Sequence, residues 1–294
     1  MLAFDMINIL AISLVFIHYK ALGAELKIPE LAKQLGATTL LNYVKTAGLD
    51  TTLEGNGPFT LFAPTNEAFD SLPTAVKEKL ATDKVLLKTV LLFHVTNSAV
   101  YSSQLQNEML VKSLDATLDI RINIYKGGQV ITADGSQVIN PNQNATNGVI
   151  HVVDKVLYPL TDNNIPQYVA FSPELSTLLY CVLQGQLTDV LSGQGPFTLF
   201  APDNTAFENL PPGVLSDLLS NETALVDVLK YHVVTSTQYS KGLVDGDVPT
   251  FEGKTLKITV EGGVMVNDAK VLMADESVSN GVIHVIDKVL LPPK

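Results

Sequence analysis

Residues Gly57–Pro73 read GPFTLFAPTNEAFDSLP and residues Gly195–Pro211 read GPFTLFAPDNTAFENLP, identical at thirteen of seventeen positions. A second pair follows in the same order: NGVIHVVDKVLYP at Asn147–Pro159 and NGVIHVIDKVLLP at Asn280–Pro292 match at eleven of thirteen. Two long blocks repeated in one order define a tandem duplication. Solenoid units run only about 20–50 residues, so the repeating unit is a whole domain. Phe93-His94 and Tyr231-His232, Tyr101 and Tyr239, and Thr117-Leu118 and Thr255-Leu256 all keep the offset of 138 set by Gly57 and Gly195. The offset falls to 133 between Asn147 and Asn280, so five extra residues are expected between Arg121 and Asn147, in the hairpin region that also holds Asn144.

Working outward from FTLFAP, the run is apolar on both strand faces, as in a strand buried on both sides. Pro64 and Pro202 end it, and Thr65 and Asp203 fall where a helix N-cap belongs, their side-chain oxygens accepting from free amides of the first turn. Asn66 and Asn204 follow, and Phe69 and Phe207 pin the short helix to the core. Leu31–Ala47, Val76–Leu80 and Val85–Phe93 have helical period, as do Pro173–Gly185, Val214–Leu219 and Leu225–Tyr231. The later stretches alternate around Gly127-Gly128 and Gly262-Gly263 as hairpins do, and Asn147-Gly148 and Asn280-Gly281 read as turn formers. The order in each copy is α+β, a β core with helices along one side. The expected divisions are a leader at 1–24, a first domain at 25–160, a linker at 161–165 and a second domain at 166–294, consistent with 294 residues.

Composition narrows the address. Met6–Ile17 is an apolar run of signal-peptide size, too short for a membrane span, with Gly23 and Ala24 placed for cleavage. No later stretch is a span or a lipid-anchor tail, so the chain is expected to be secreted without a membrane anchor. Asn144-Ala-Thr146 and Asn221-Glu-Thr223 are N-glycosylation sequons. A net charge of −11 with a single arginine, Arg121, argues against nucleic acid and anionic membranes. The one cysteine, Cys181, takes the place of Tyr43 and forms no internal disulfide; it reads as a small buried hydrophobe.

His94, His151, His232 and His284 occupy matched positions, two per copy. No HExxH, no cysteine neighbour and no GxSxG accompanies them, so they read as structural, with no metal, cofactor or catalytic residue expected. Asp154, three residues past His151 on a strand, points to the other face.

The FAPxNxAF turn, the aromatic-His dipeptide and NGVIHVVDKVL, in this order and twice over, resemble the fasciclin domain. The resemblance spans about Ile28–Pro159 and Pro166–Pro292. It implies two tandem domains, each a wedge-shaped seven-stranded β-sandwich with helices along one edge. It also implies a non-enzymatic role in adhesion outside the cell, with integrins, collagen or other matrix partners. Thr65, Asn66, Phe69, Asn147, Gly148 and His151, with Asp203, Asn204, Phe207, Asn280, Gly281 and His284, match the family motif as scaffold. One integrin motif proposed for the family is a Tyr-His pair, present as Tyr231-His232 and altered to Phe93-His94. A second, Asn-Lys-Asp-Ile-Leu, maps onto Asn140–Asn144 and Met273–Ser277; neither window retains Asp-Ile, although Asp275 survives. The leading expectation is thus a secreted matrix-interaction protein. The alternative is an extracellular carrier or signalling module with a lipid or glycan in a cleft, and a ligand-sized apolar pocket would mark it. A hydrolase would need a nucleophile, base and oxyanion donors in one cleft. The partner and the oligomeric state are not specified by the sequence.

Overall fold

A computed structural model describes residues 26–158 and 163–293. The expected leader at 1–24 lies outside these residues, as do the first two positions of the expected linker. The first repeat opens with α1 (Ile28–Gln34), α2 (Thr38–Thr46) and α3 (Asp50–Leu53), followed by β1 (Phe59–Pro64). Then come α4 (Asn66–Asp70), α5 (Thr74–Thr82) and α6 (Lys84–Phe93). It closes with β2 (Val95–Thr96), β3 (Met109–Lys112), β4 (Asp119–Tyr125), β5 (Val130–Ala133), β6 (Ser136–Ala145) and β7 (Gly148–Val153). The second repeat gives α7 (Ile165–Phe171), α8 (Ser176–Gln184), α9 (Thr188–Leu191), β8 (Phe197–Pro202), α10 (Asn204–Glu208), α11 (Val214–Ser220) and α12 (Glu222–Tyr231). Its strands are β9 (Val233–Val234), β10 (Gly246–Pro249), β11 (Thr255–Thr259), β12 (Met265–Val266), β13 (Ala269–Val278) and β14 (Gly281–Ile286).

Each repeat holds a seven-stranded sheet, in the order β2-β1-β7-β6-β5-β4-β3 and β10-β11-β12-β13-β14-β8-β9. The two motif blocks are neighbours: β1 pairs parallel with β7 and β8 parallel with β14, Phe62 opposite His151 and Phe200 opposite His284. The pairings β1–β2, β3–β4, β5–β6, β6–β7, β8–β9, β10–β11, β11–β12, β12–β13 and β13–β14 are antiparallel. The long strands β6 and β13 are bulged twice, which bends them so that each serves both halves of its sheet. Burial explains the apolar run in β8. Leu199 and Ala201 pack under the helices with Leu178, Leu229 and Ile283, while Phe200 faces a second cluster with Tyr231, Leu256, Ile258 and Ile286. A strand buried on both faces has no polar side to show. Each fully buried Leu, Ile or Phe contributes roughly 1.5–3 kcal/mol.

Two local expectations change. Leu31–Ala47 is not one helix: Gly36, at φ +85, turns the chain between α1 and α2. The five-residue length difference is not confined to the stretch after Arg121 either. Hydrogen bonds fix the correspondence. Val100 N and Gln238 N both donate to the buried threonine of β1 or β8 (Thr60, Thr198), an offset of 138. Leu114 N reaches Val95 O as Phe251 N reaches Val233 O, an offset of 137. Arg121 then matches Lys257, and Asp134 matches Asn267, because each turn residue brackets the backbone of its partner. One residue is gained before β3, one in the β3–β4 turn and three between Arg121 and Asp134. Strands β6 and β13 have equal length, so Asn144 lies outside the insertion, opposite Val149 in the ladder.

The described residues divide into two compact units, 26–123 with 131–158, and 124–130 with 163–293. Strand pairing assigns β4 and β5 to the first sheet. Among the described residues no helix is long and apolar enough to cross a membrane.

Candidate functional site

The Tyr-His pair is not a surface. Tyr231 is 2% exposed and His232 1%; Phe93 and His94 are as deeply buried. The dipeptide ends α6 and α12 and turns the chain into β2 and β9, so both side chains enter the core. The Tyr231 hydroxyl donates to Thr255 O at 2.8 Å and accepts from Asn267 Nδ2 at 3.1 Å. The first repeat has Phe93 for Tyr231 and Asp134 for Asn267, so hydroxyl acceptor and amide donor are lost together. The Tyr/Phe difference is therefore accounted for inside the core.

The histidines are equally occupied. His94 Nδ1–H donates to Val90 O at 2.8 Å, and its Nε2 accepts from Leu157 N at 2.9 Å. His232 does the same with Val228 O and Leu290 N. Both are neutral, since a second proton would find a donor where it needs an acceptor. Burial pushes their pKa down to about 4, partly opposed by the carbonyl contact. His151 uses the other tautomer: Nε2–H donates to Val100 O at 2.8 Å, and Nδ1 accepts from Asn142 N at 3.2 Å. Burial lowers its pKa as well. His284 bonds Gln238 O and Asp275 N in the same way. Phe62 and Phe200 stack on these rings at 5.5 Å. Imidazoles held this way offer no lone pair to a metal or a substrate. No group of three or more His, Cys, Asp or Glu among the described residues could hold a metal ion.

Asp275 sits at a bulge with φ +69 and accepts from Ser240 N and Ser240 Oγ at 2.6 and 2.5 Å. Asn142, its counterpart, bonds Ser102 N and Ser102 Oγ. Both pin the loop after β2 or β9 to the bulged strand. Thr65 and Asp203 cap α4 and α10 through Ala68 N and Ala206 N. Asn66 Oδ1 and Asn204 Oδ1 accept from Thr39 N and Thr177 N at 2.9 Å, tying that turn to the helices upstream. Phe69 and Phe207 are buried, and Tyr43 meets Phe69 at 5.3 Å between ring centroids. Cys181 is buried in the Tyr43 position, and burial pushes its thiol up to about 11, which makes it unreactive at neutral pH. Asn144 and Asn221 are both exposed.

Asn147 and Asn280 do more than form the turns expected of them. Asn147 Oδ1 accepts from Ile28 N at 2.9 Å, and its Nδ2 donates to Leu53 O and Gly55 O, both at 2.8 Å. Asn280 repeats this with Ile165 N, Leu191 O and Gly193 O. Gly148 and Gly281 are needed beside them, because a Cβ at either would collide with the carbonyl oxygen of Phe59 or Phe197. The only local sign of these roles was the recurrence of both residues in both copies.

Two spaces bear on the carrier reading. An apolar gap among Leu40, Val44, Leu61 and Leu91 has about 10 Å³, room for one water at most and none for a ligand. An open cleft of about 470 Å³ in the second repeat is bordered by Asp203, Asn209, Leu272, Asp287 and Lys288. It is shallow and mixed in polarity, unlike the enclosed apolar cavity a lipid needs.

The repeated motif residues thus build scaffold: caps, clamps and buried rings in two mixed α+β domains with parallel-paired motif strands. The chain belongs to the fasciclin domain family, which matches residues 35–159 and 173–292. It is similar to human periostin, 37% identical over 262 residues that cover 88% of this chain and 31% of periostin. It is also similar to transforming growth factor-beta-induced protein ig-h3 of Sus scrofa, 34% identical over 281 residues, covering 93% of this chain and 41% of that protein. The chain therefore spans less than half the length of either relative. Among solved structures, the FAS1 domain pair of the insect cell adhesion molecule Fasciclin I aligns at a TM-score of 0.40 and 21% identity, covering 88% of this chain and 98% of that one.

Proposed function

We propose that the chain is a secreted, non-enzymatic matrix-interaction or cell-adhesion protein that acts by presenting the surfaces of two fasciclin domains. The observation that carries this reading is the internal occupation of the repeated polar residues. All four matched histidines, both Tyr/Phe-His dipeptides, Asn147 and Asn280 are spent on holding the fold, so partner recognition falls to exposed side chains. The leader at 1–24, domains at 25–160 and 166–294 joined through 161–165, and glycans on Asn144 and Asn221 belong to this proposal. So do integrins, collagen and glycans as the partner classes to be tried. Two linked domains gain avidity where both engage at once. The test is expression in secreting eukaryotic cells, followed by attachment assays on collagen, integrin ectodomains and a glycan array. Appearance in the medium and saturable binding to one of these support the reading; retention inside the cell or uniform failure to bind rejects it.

A further inference from the structure

We infer that the helical face of the second domain formed around α8 is a docking surface for a cationic, aliphatic-bearing segment of a partner protein. The inference deepens the adhesion reading and rests on it, adding a face and the chemistry of what covers it. On α8, Ser176, Tyr180, Leu183 and Gln184 form one exposed stripe, while Leu178, Cys181 and Val182 face the core. Tyr180 is 51% exposed and Leu183 54%. Phe171, at the end of α7, is 75% exposed, and Val190 on α9 is also exposed.

The first repeat shows that the fold does not require these side chains. Hydrogen bonds set the register: Ile28 and Ile165 donate to the clamp asparagines, Thr39 and Thr177 to Asn66 and Asn204, and Leu53 and Leu191 accept from the clamps. In that register Phe171, Tyr180, Leu183 and Val190 stand where the first repeat has Gln34, Asn42, Lys45 and Thr52. Four polar positions of the first repeat are aromatic or aliphatic here on the same scaffold, at a hydration cost that a covering partner recovers.

Charge chooses the partner. From Ile165 to Leu229 the sequence contains no lysine or arginine, while Glu174, Asp189, Glu208, Asp217, Glu222 and Asp227 are exposed. The matching span Ile28–Leu91 intersperses Lys33, Lys45, Lys77, Lys79, Lys84 and Lys88 among its acids. Exposed Phe171, Tyr180, Leu183 and Val190 in an anionic layer complement lysines or arginines flanking aliphatic side chains. It repels anionic lipid, and a second copy of the same face would set acid against acid.

The experiment uses the full chain and an immobilised synthetic amphipathic helix carrying Leu on one stripe and Lys elsewhere, with a Glu-for-Lys twin as comparison. The Lys peptide is expected to bind more tightly at low salt and the Glu twin not at all. Tyr180→Asn with Leu183→Lys, the residues of the first repeat, is expected to weaken binding at least about tenfold. Should that pair fail to fold, Glu174→Lys with Asp189→Lys must produce the same loss. Equal binding of both peptides, no binding of the Lys peptide, or binding unchanged by the substitutions overturns the inference. So does concentration-dependent self-association, or binding to phosphatidylserine vesicles, that the substitutions abolish. Attachment to collagen or integrin that survives the substitutions keeps the matrix role and removes this face. Lys-peptide binding through this face without any matrix attachment keeps the face and removes the matrix role.

Discussion

Asn280 shows how much one buried carboxamide can hold. Its three bonds join the start of α7, the end of α9 and the entry to β14, and its own carbonyl accepts from Phe197 N. Asn280→Ala strands one amide and two carbonyls, each at roughly 1–3 kcal/mol when buried and unpaired. The expected loss is about 3 kcal/mol or more in urea unfolding, and a loss below about 1 kcal/mol would show that water replaces the side chain. Tyr231→Phe removes only a hydroxyl, leaving Thr255 O and Asn267 Nδ2 short of one bond each; about 1–2 kcal/mol is expected. Because that hydroxyl lies in the core, matrix attachment by folded Tyr231→Phe should match the parent. Selective loss of attachment at unchanged stability would contradict this placement. The sequence exposed the duplication and the N-caps because those signals are local. It hid the clamp because Asn147 and Leu53 lie 94 residues apart. Tyr231-His232 came forward as a site through the family resemblance, and no periodicity reports that a helix end turns inward.

At the scale of elements, the two copies reach the same geometry with different chemistry. Helix α6 is capped by Asp83, which accepts from Val85 N and Leu86 N at 2.9 and 3.0 Å. Helix α12 is capped by Asn221, whose Oδ1 accepts from Ala224 N at 3.2 Å. An N-linked glycan would join Nδ2 and leave the capping Oδ1 free to accept, so the cap at Asn221 is compatible with its sequon. Asn221→Asp keeps an acceptor and removes the sequon. Expressed in secreting eukaryotic cells, the variant should lose one glycan's mass relative to the parent while its Tm hardly changes, whereas unchanged mass would show that the site is not used. Asp83→Ala, by contrast, should cost about 1 kcal/mol, and no change in Tm would mean that the helix end is satisfied by solvent. The length differences follow the same logic. They fall before β3, in the β3–β4 turn and between Arg121 and Asp134, outside the parallel motif pair whose register sets the core. Matched sequence at Thr117-Leu118 and Thr255-Leu256 concealed this, because a two-residue coincidence carries less weight than the ladder it lies in.

For the whole molecule, the exchange of Asp134 for Asn267 gives the repeats different responses to acid. His94 and His232, with folded pKa values near 4 against 6.5 unfolded, bind fewer protons folded than unfolded between those values. Stability from each is therefore present above pH 6.5 and lost as pH falls toward 4, on the order of 3 kcal/mol per histidine. Asp134 acts with the opposite sign. Burial raises its carboxyl from 3.8 to about 7, against the pull of the Arg121 amide and the Arg121 charge. Its contribution is full below pH 3.8 and lost as pH rises through 7, so it offsets the acid sensitivity of His94 in the first repeat. The second repeat has Asn267 there and no such compensation. Asp134→Asn should thus raise Tm relative to the parent at pH 8, with the gain shrinking steadily toward pH 4. A Tm difference that does not vary with pH would remove Asp134 from this account. Proton NMR of the imidazole Cε1–H signals supplies the independent check: two histidines should titrate near 4 in the folded chain, and midpoints near 6.5 for His94 and His232 would mean that these rings are not held neutral by the core.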